Sequence, residues 1–193
     1  DSPDAALALG RFLMQQGKPD PAGQELRRAL QLSPQYAPAL FSLGLMEMKR
    51  GHEVEAEQFF SRLGHASDRS YQGLYGLFLL QQHRTDAALL EFKRLHEADR
   101  TDRVARTRLV AAYLMANRLG DAEQTLAAAL KLNPRDADAL LERSELAIRA
   151  GNLRSAENDL ETVLRLQPDS PAARSDLAKV RRLEGRVDAE RQE

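Results

Sequence analysis

"ALKLNPRDADAL", Ala129–Leu140, is echoed twice in the chain, as "ALQLSPQYAPAL" at Ala29–Leu40 and as "VLRLQPDSPAAR" at Val163–Arg174. In each copy an apolar-periodic stretch closes in Leu-x-Leu-x-Pro and another begins a few residues later. Proline cannot continue a helix, so each copy reads as a helix end, a turn and a helix start. Pro134 and Pro168 lie 34 residues apart, whereas Pro34 and Pro134 lie 100 apart, two residues short of three such periods.

A repeating fold must restore the same contacts in every unit, so other residue types should recur at fixed offsets. Ala22, Ala56, Ala88, Ala122 and Ala156 follow one another at intervals of 34, 32, 34 and 34 residues. Four residues after each comes a bulky apolar group, at Leu26, Phe60, Phe92, Leu126 and Leu160, and three further on come Ala29, Leu63, Leu95, Ala129 and Val163. Upstream, Leu9-Gly10, Leu43-Gly44, Tyr75-Gly76, Leu109-Val110 and Arg143-Ser144 share one pair of offsets. Leu40, Leu43 and Met46 keep the 3-and-4 spacing of a helix face. Gly17, Gly51, Asn117 and Gly151 stand where a left-handed C-cap would close a first helix. In "KPDPA", Asp20 suits the N-cap of a second helix with Pro21 at its first position. Each unit is therefore expected to be two antiparallel helices. One such pair cannot bury both of its apolar faces alone, and stacking on neighbours completes the core.

Together these offsets resemble the tetratricopeptide repeat, whose pattern W-x2-L-G-x2-Y…A-x3-F…P has the same order and spacing. The resemblance covers five units, 3–36, 37–68, 69–102, 103–136 and 137–170, in a single domain spanning 1–193. From Pro171 onward (171–193) a polar capping helix is expected, the alternative being a repeat cut short, with Gly185 in its slot and Glu190 where the small alanine should be. No tryptophan fills the large apolar slot; His83 takes the glycine slot and Arg100 the proline slot of the third unit. The resemblance implies an all-α, right-handed α-solenoid of antiparallel helix pairs. The two missing residues fall in "FFSRLGHASDRSYQGL", which predicts a shortened second helix or altered turn between Arg62 and Ser70.

With 28 basic and 29 acidic residues, the net charge of -1 supplies no global field toward nucleic acid or an anionic membrane. The absence of cysteine excludes disulfides and thiolate metal sites. No apolar run approaches the ~20 residues a spanning helix needs, so no membrane span is expected and the chain reads as soluble. The start at Asp1, without methionine or a charged-then-apolar leader, reads as a mature product or an excised fragment. The excess of arginine over lysine and the alanine and leucine content suggest a GC-rich bacterial gene, with cytoplasm and periplasm equally open.

In the family, the first helices line the concave groove and contact ligands from a few fixed positions. Carried onto this chain, the resemblance implies a peptide-binding groove of Leu7, Arg11 and Met14; Phe41, Leu45 and Met48; Leu77 and Leu80; Thr107, Leu114 and Met115; and Leu141, Glu145 and Ile148. Part of this apolar set could equally be packing between repeats. The family's variant that clamps a terminal carboxylate with lysine and asparagine is absent, since Val104, Ser42 and Leu74 stand at the corresponding offsets. Arg100, Arg103, Arg106 and Arg108 crowd one junction, either as an anion patch or as a solvated turn neutralised by Asp99 and Asp102.

No H-E-x-x-H, phosphate-cradling loop or nucleophile elbow occurs. His52 and His65, like His83 and His96, fall at a turn and near a helix end, roughly 15–20 Å apart, too far to share an ion. Acidic pairs such as Asp136 and Asp138 fit exposed helix starts. The expectation is a non-catalytic scaffold without metal, cofactor or small-molecule substrate, binding a protein or peptide segment rather than nucleic acid. The alternative is a self-associating homo-oligomeric module of a bacterial cytoplasmic or envelope assembly or export complex.

Overall fold

The residues that break helices in this chain recur before Pro3, Ala37, Arg69, Arg103, Ala137 and Pro171, and a helix starts at each of these positions. The computed structural model describes residues 2–190, with side chains as far as Gly185. Among them are eleven helices and no strand: α1 Pro3–Gln15, α2 Pro19–Leu32, α3 Ala37–Arg50, α4 Glu53–Leu63, α5 Arg69–Gln81, α6 Thr85–Ala98, α7 Arg103–Met115, α8 Leu119–Leu132, α9 Ala137–Arg149, α10 Leu153–Leu166 and α11 Pro171–Glu190. They fall into two compact units, Asp1–Glu97 and Ala98–Glu193. Each unit is all-α and solenoidal, helix packing on helix in chain order. Residues 191–193 of the C-terminal expectation lie outside the described residues, as does the side chain of Glu190.

One turn chemistry closes all five first helices. Gly17, Gly51, His83, Asn117 and Gly151 have φ of 70, 78, 55, 55 and 74°. The next amide then returns to a carbonyl five residues back: Lys18 to Leu13, His52 to Glu47, Arg84 to Leu79, Arg118 to Tyr113 and Asn152 to Ala147. This is the paired-bond helix terminus that needs a left-handed residue. Histidine and asparagine are among the side chains that tolerate that conformation, so His83 keeps the backbone of the glycine slot it occupies. Gly185, by contrast, lies inside α11.

At the starts of α5, α7 and α9, the next pair's first helix is capped by an aspartate. Asp68 accepts from the Ser70 amide, Asp102 from those of Val104 and Ala105, and Asp136 from that of Ala139, each satisfying a donor that the first helical turn leaves open. The expected Asp20 cap is corrected: α2 starts two residues earlier, with Lys18 at the N-cap and Pro19 at the first helical position. The left-handed Gly17 lets the chain turn at once, and Pro19 has the φ that a first helical residue requires. Asp20 instead pairs with Arg50 of α3 at 2.6 Å.

The second helices α2, α6, α8 and α10 have 14 residues each, but α4 has 11 and ends at Leu63. The shortened helix therefore lies where the missing two residues placed it. Its altered turn is held from outside: Arg94 donates to the Gly64 carbonyl at 2.6 Å and Gln72 to that of Ala66 at 2.6 Å. In the third unit, where Arg100 replaces the expected proline, Asp99 turns the chain by accepting from the amide and hydroxyl of Thr101.

Packing within pairs rests on small residues. The five alanines of the 34-residue series are wholly buried. In the first helices, a Cβ on Gly44 would lie 2.9 Å from the Phe60 ring, and one on Gly76 only 2.4 Å from that of Phe92. Where the partner is Leu126 or Leu160 instead of phenylalanine, the same slot holds Val110 or Ser144. Phe60 stacks on Phe78 at 4.9 Å between ring centroids, and Phe41 meets both Phe60 and Tyr71 edge-on. The departure at Arg143 is resolved by a two-pronged ion pair with Asp159 of α10, at 2.7 and 2.6 Å. Gly76→Ala is expected to lower unfolding free energy by about 1–3 kcal/mol, because the overpacking exceeds the gain in helix propensity. Urea denaturation followed by circular dichroism measures this, and an unchanged midpoint would contradict the close packing.

Candidate functional site

The residues implied for the groove divide by burial according to their place on the first helices. In the first unit, Leu7 is buried among Leu26, Ala29, Leu43 and Met46, with Met14 packed against the same cluster. Arg11 is exposed. On α3, Phe41, Leu45 and Met48 sit at the i, i+4, i+7 spacing of one helix face, and on α5 Leu77 and Leu80 do the same at i, i+3. Leu45 and Leu77, at the same position of successive units, keep 38% and 42% of their surface in solvent. Phe41, Met48 and Leu80 are half-buried. The Phe41–Tyr71 ring contact, at 6.1 Å, joins the α3 face to α5. Phe41, Leu45 and Met48 on α3 and Leu77 and Leu80 on α5 thus stand on corresponding faces of two helices that meet at the Phe41–Tyr71 contact, while Leu7 belongs to the core.

In the C-terminal compact unit, Ala98–Glu193, the same positions are more polar. Ile148 is buried in the core. Leu114 and Leu141 are half-buried, and Met115 is largely exposed. Thr107 donates its hydroxyl hydrogen to Glu142, and Glu145 is tied to Arg149 at 2.7 Å.

The four arginines of the third-to-fourth junction do not act as one patch. Arg106 is buried and donates to both carboxylate oxygens of Asp136, at 2.8 and 3.4 Å, with its Nε 3.6 Å from Glu142. Arg103 pairs with Asp138 at 2.9 Å. Arg108 is half-buried, and Arg100 is exposed. Asp136 and Asp138, on the α9 side, supply the partners of Arg106 and Arg103, and Asp102 serves as the α7 cap. The expectation of an exposed Asp136 is likewise corrected, because α7 packs its arginine over that helix start.

Burial alone would raise the Asp136 carboxyl, but bonds from Arg106 and the Ala139 amide, with the charges of Arg106 and Arg103, outweigh it and hold the group below its usual range. Glu142 goes the other way: burial raises it, and its Thr107 bond and the Arg106 charge recover only part. Among the described residues, no cluster of three or more metal-ligating side chains occurs, and no helix is long and apolar enough to cross a membrane.

A family model described as tetratricopeptide repeat matches residues 7–70 and 141–193, more than half of the chain, and a second of the same description matches 79–146. The chain belongs to the tetratricopeptide repeat family. Among solved tetratricopeptide structures, one from Parabacteroides merdae superposes with a TM-score of 0.67 at 18% identity, covering 95% of this chain and 73% of that one. YrrB, described as having an unusual peptide-binding site, gives 0.57 at 21% identity, covering 87% and 88%. The first tetratricopeptide domain of Spaghetti (RPAP3), bound to the HSP90 peptide SRMEEVD, gives 0.50 at 25%, covering 57% and 87%. No curated protein sequence matches the chain significantly. Tetratricopeptide folds are protein-interaction scaffolds and are generally non-catalytic.

The role of Asp136, on the turn before α9, escaped the sequence reading of the junction because its partner Arg106 lies in α7, 30 residues upstream. The available signal was charge: "DRTDR" and "NPRD" occupy equivalent turns of neighbouring units. Arg106→Leu is expected to lower stability by about 3–5 kcal/mol at pH 7, since it leaves Asp136 and Glu142 buried without a cation. The depressed carboxyl of Asp136 stabilises the fold above its unfolded value of about 3.9, and that contribution is lost as pH falls through the folded value. The deficit of the variant should therefore shrink below about pH 4, as read by chemical denaturation at both pH values.

Proposed function

We propose that this protein is a non-catalytic scaffold whose first-helix faces bind an apolar protein or peptide segment. Its helix pairs are taken as five repeats of one domain, at 3–36, 37–68, 69–102, 103–136 and 137–170, with α11 as a polar closing helix. The observation that carries the proposal is the strip of Leu45 and Leu77, left in solvent at equivalent positions of successive first helices and flanked by Met48 and Leu80. Packing within the stack leaves these leucines open, and methionine adapts to irregular partners. Burying three or four such side chains at ~1.5–3 kcal/mol each offsets an association cost of about 4–15 kcal/mol. That supports weak recognition of a helix or extended segment laid along the strip, with any tighter grip supplied by further contacts. The partner is a protein or peptide, with no nucleic acid, cofactor or small-molecule substrate in the reading.

The exposed pair supplies a cleaner test than Phe41, whose ring contacts Phe60 and Tyr71 would be lost with it. Twelve-residue peptides selected by phage display against the full chain should bind the Leu45→Glu/Leu77→Glu variant at least about tenfold more weakly, with helicity intact. Selected peptides that bind the variant as tightly as the parent would remove the strip from the proposal.

A second reading, self-association through the start of the first unit, is favoured by a separate observation. Ala5, Leu9 and Phe12 of α1 correspond, one period on, to Ala39, Leu43 and Met46, which are buried at 0, 0 and 2% exposure. In α1 itself, Leu9 and Phe12 keep 44% and 54%, beside Leu32 at 45%. A second copy covering this face would complete what α2 completes for α3. Light scattering over a concentration series should then show a mass above 21.6 kDa that Phe12→Glu returns to monomer. A monomer at every concentration would exclude this reading.

A further inference from the structure

The inter-helix turns of the C-terminal compact unit, Ala98–Glu193, enclose a pocket of about 530 Å³, bounded by the turn before α7, the turn before α9 and the end of α10. This is within the size range of ligand clefts. Its floor contains the Arg106–Asp136 pair, which neutralises itself. The remaining charges on the wall are Arg100, Arg103 and Arg135, with no further carboxylate among the lining residues. Arg103 shares its charge with Asp138 outside the lining. Arg100 and Arg135 are exposed, and among the described residues their side chains make no ion pair or hydrogen bond. The helix starts at α7 and α9 are already capped by Asp102 and Asp136, so the excess positive potential belongs to the arginines. Beside them lie Ala129, Leu132 and Leu166, apolar surface that a bare inorganic anion would leave unused.

From this combination we infer that the pocket is a second docking site, separate from the first-helix strip, for an acidic peptide segment that carries an apolar side chain between its carboxylates. Guanidinium groups fit carboxylates two bonds at a time, which a point charge does not. Leu132 and Leu166 receive the apolar side chain while Arg100 and Arg135 hold the flanking carboxylates. Nucleic acid is disfavoured because no aromatic residue lines the pocket to stack a base. The pocket therefore gives the scaffold charge selectivity, whereas the strip selects apolar character.

The test uses the full chain and a fluorescein-labelled peptide, acetyl-Glu-Asp-Leu-Glu-Asp-amide, followed by anisotropy in low salt. Its Gln-Asn-Leu-Gln-Asn counterpart should bind at least about tenfold more weakly, and Arg100→Ser/Arg135→Ser should weaken the acidic peptide by a similar factor or more. Replacing the peptide leucine with serine should cost about threefold or more. Arg154→Ser, which removes an exposed charge on α10 away from the pocket, should leave binding unchanged. Both pocket arginines are exposed, so the variants should retain the parent's thermal midpoint, and Arg135→Gln alone provides the same readout if the double variant does not. The inference is overturned if the acidic and neutral peptides bind alike, if the pocket variants bind as the parent does, or if Arg154→Ser loses as much as they do. It is also overturned in favour of a small-anion site if millimolar phosphate displaces the peptide and the serine peptide binds as well as the leucine one.

Discussion

The close approach of the two helices within a pair is the constraint on which the other features depend. It exists because one helix presents alanine or glycine where the other presents a ring or a leucine. Phe92 lies where a Cβ on Gly76 would be, and Phe60 stands in the same relation to Gly44. Packing this tight fixes the rotation of each helix about its own axis. That rotation decides which residues turn inward, such as Leu43 and Met46, and which remain on the outer face, such as Leu45. A leucine opposite does not by itself fix the slot: a Cβ on Gly10 would lie 2.9 Å from Leu26, whereas the slots facing Leu126 and Leu160 hold Val110 and Ser144. Interiors packed to crystal-like density transmit such changes of size directly.

Given that rotation, the turns need only bring the next helix back, and the chain has several chemistries for doing so. Glycine, asparagine and histidine all adopt the left-handed conformation that closes a first helix. Proline, an aspartate-threonine turn or a pair of side-chain donors from later helices closes a second one. The irregular turn after α4 illustrates the compensation: with three helical residues missing, the carbonyls of Gly64 and Ala66 would have no helical partner, and Arg94 and Gln72 serve them instead. A buried backbone carbonyl without a partner is costly, so the defect is tolerated because the neighbouring helices carry long polar side chains at the right place.

The polar groups of the C-terminal compact unit show the same coupling between packing and charge. Burying Arg106 against α9 draws Asp136 out of solvent and pulls its carboxyl down, while Glu142, with weaker compensation, is pushed up. The arginines that remain outside, Arg100 and Arg135, are left to face the pocket. A ligand surface is thus partly a by-product of which members of a charged cluster the core has already used.

The recurrence of alanine, bulky apolar residue and turn former determined the helix pairs, their stacking and the position of the shortened helix. Each of these is a consequence of offsets within about one period, which a linear sequence displays directly. Position within a repeat could not tell Leu7 and Ile148, which are buried, from Phe41 and Met48 at the same two offsets, which are half-buried. Nor could residue type tell Arg106 from Arg100. Those distinctions depend on what each neighbouring unit places against the residue, and the neighbour's contribution, like Asp136 opposite Arg106, comes from 30 residues away. Exposure and charge pairing are properties of the packed stack, so only the tertiary structure decided which of the candidate residues remain available to a partner.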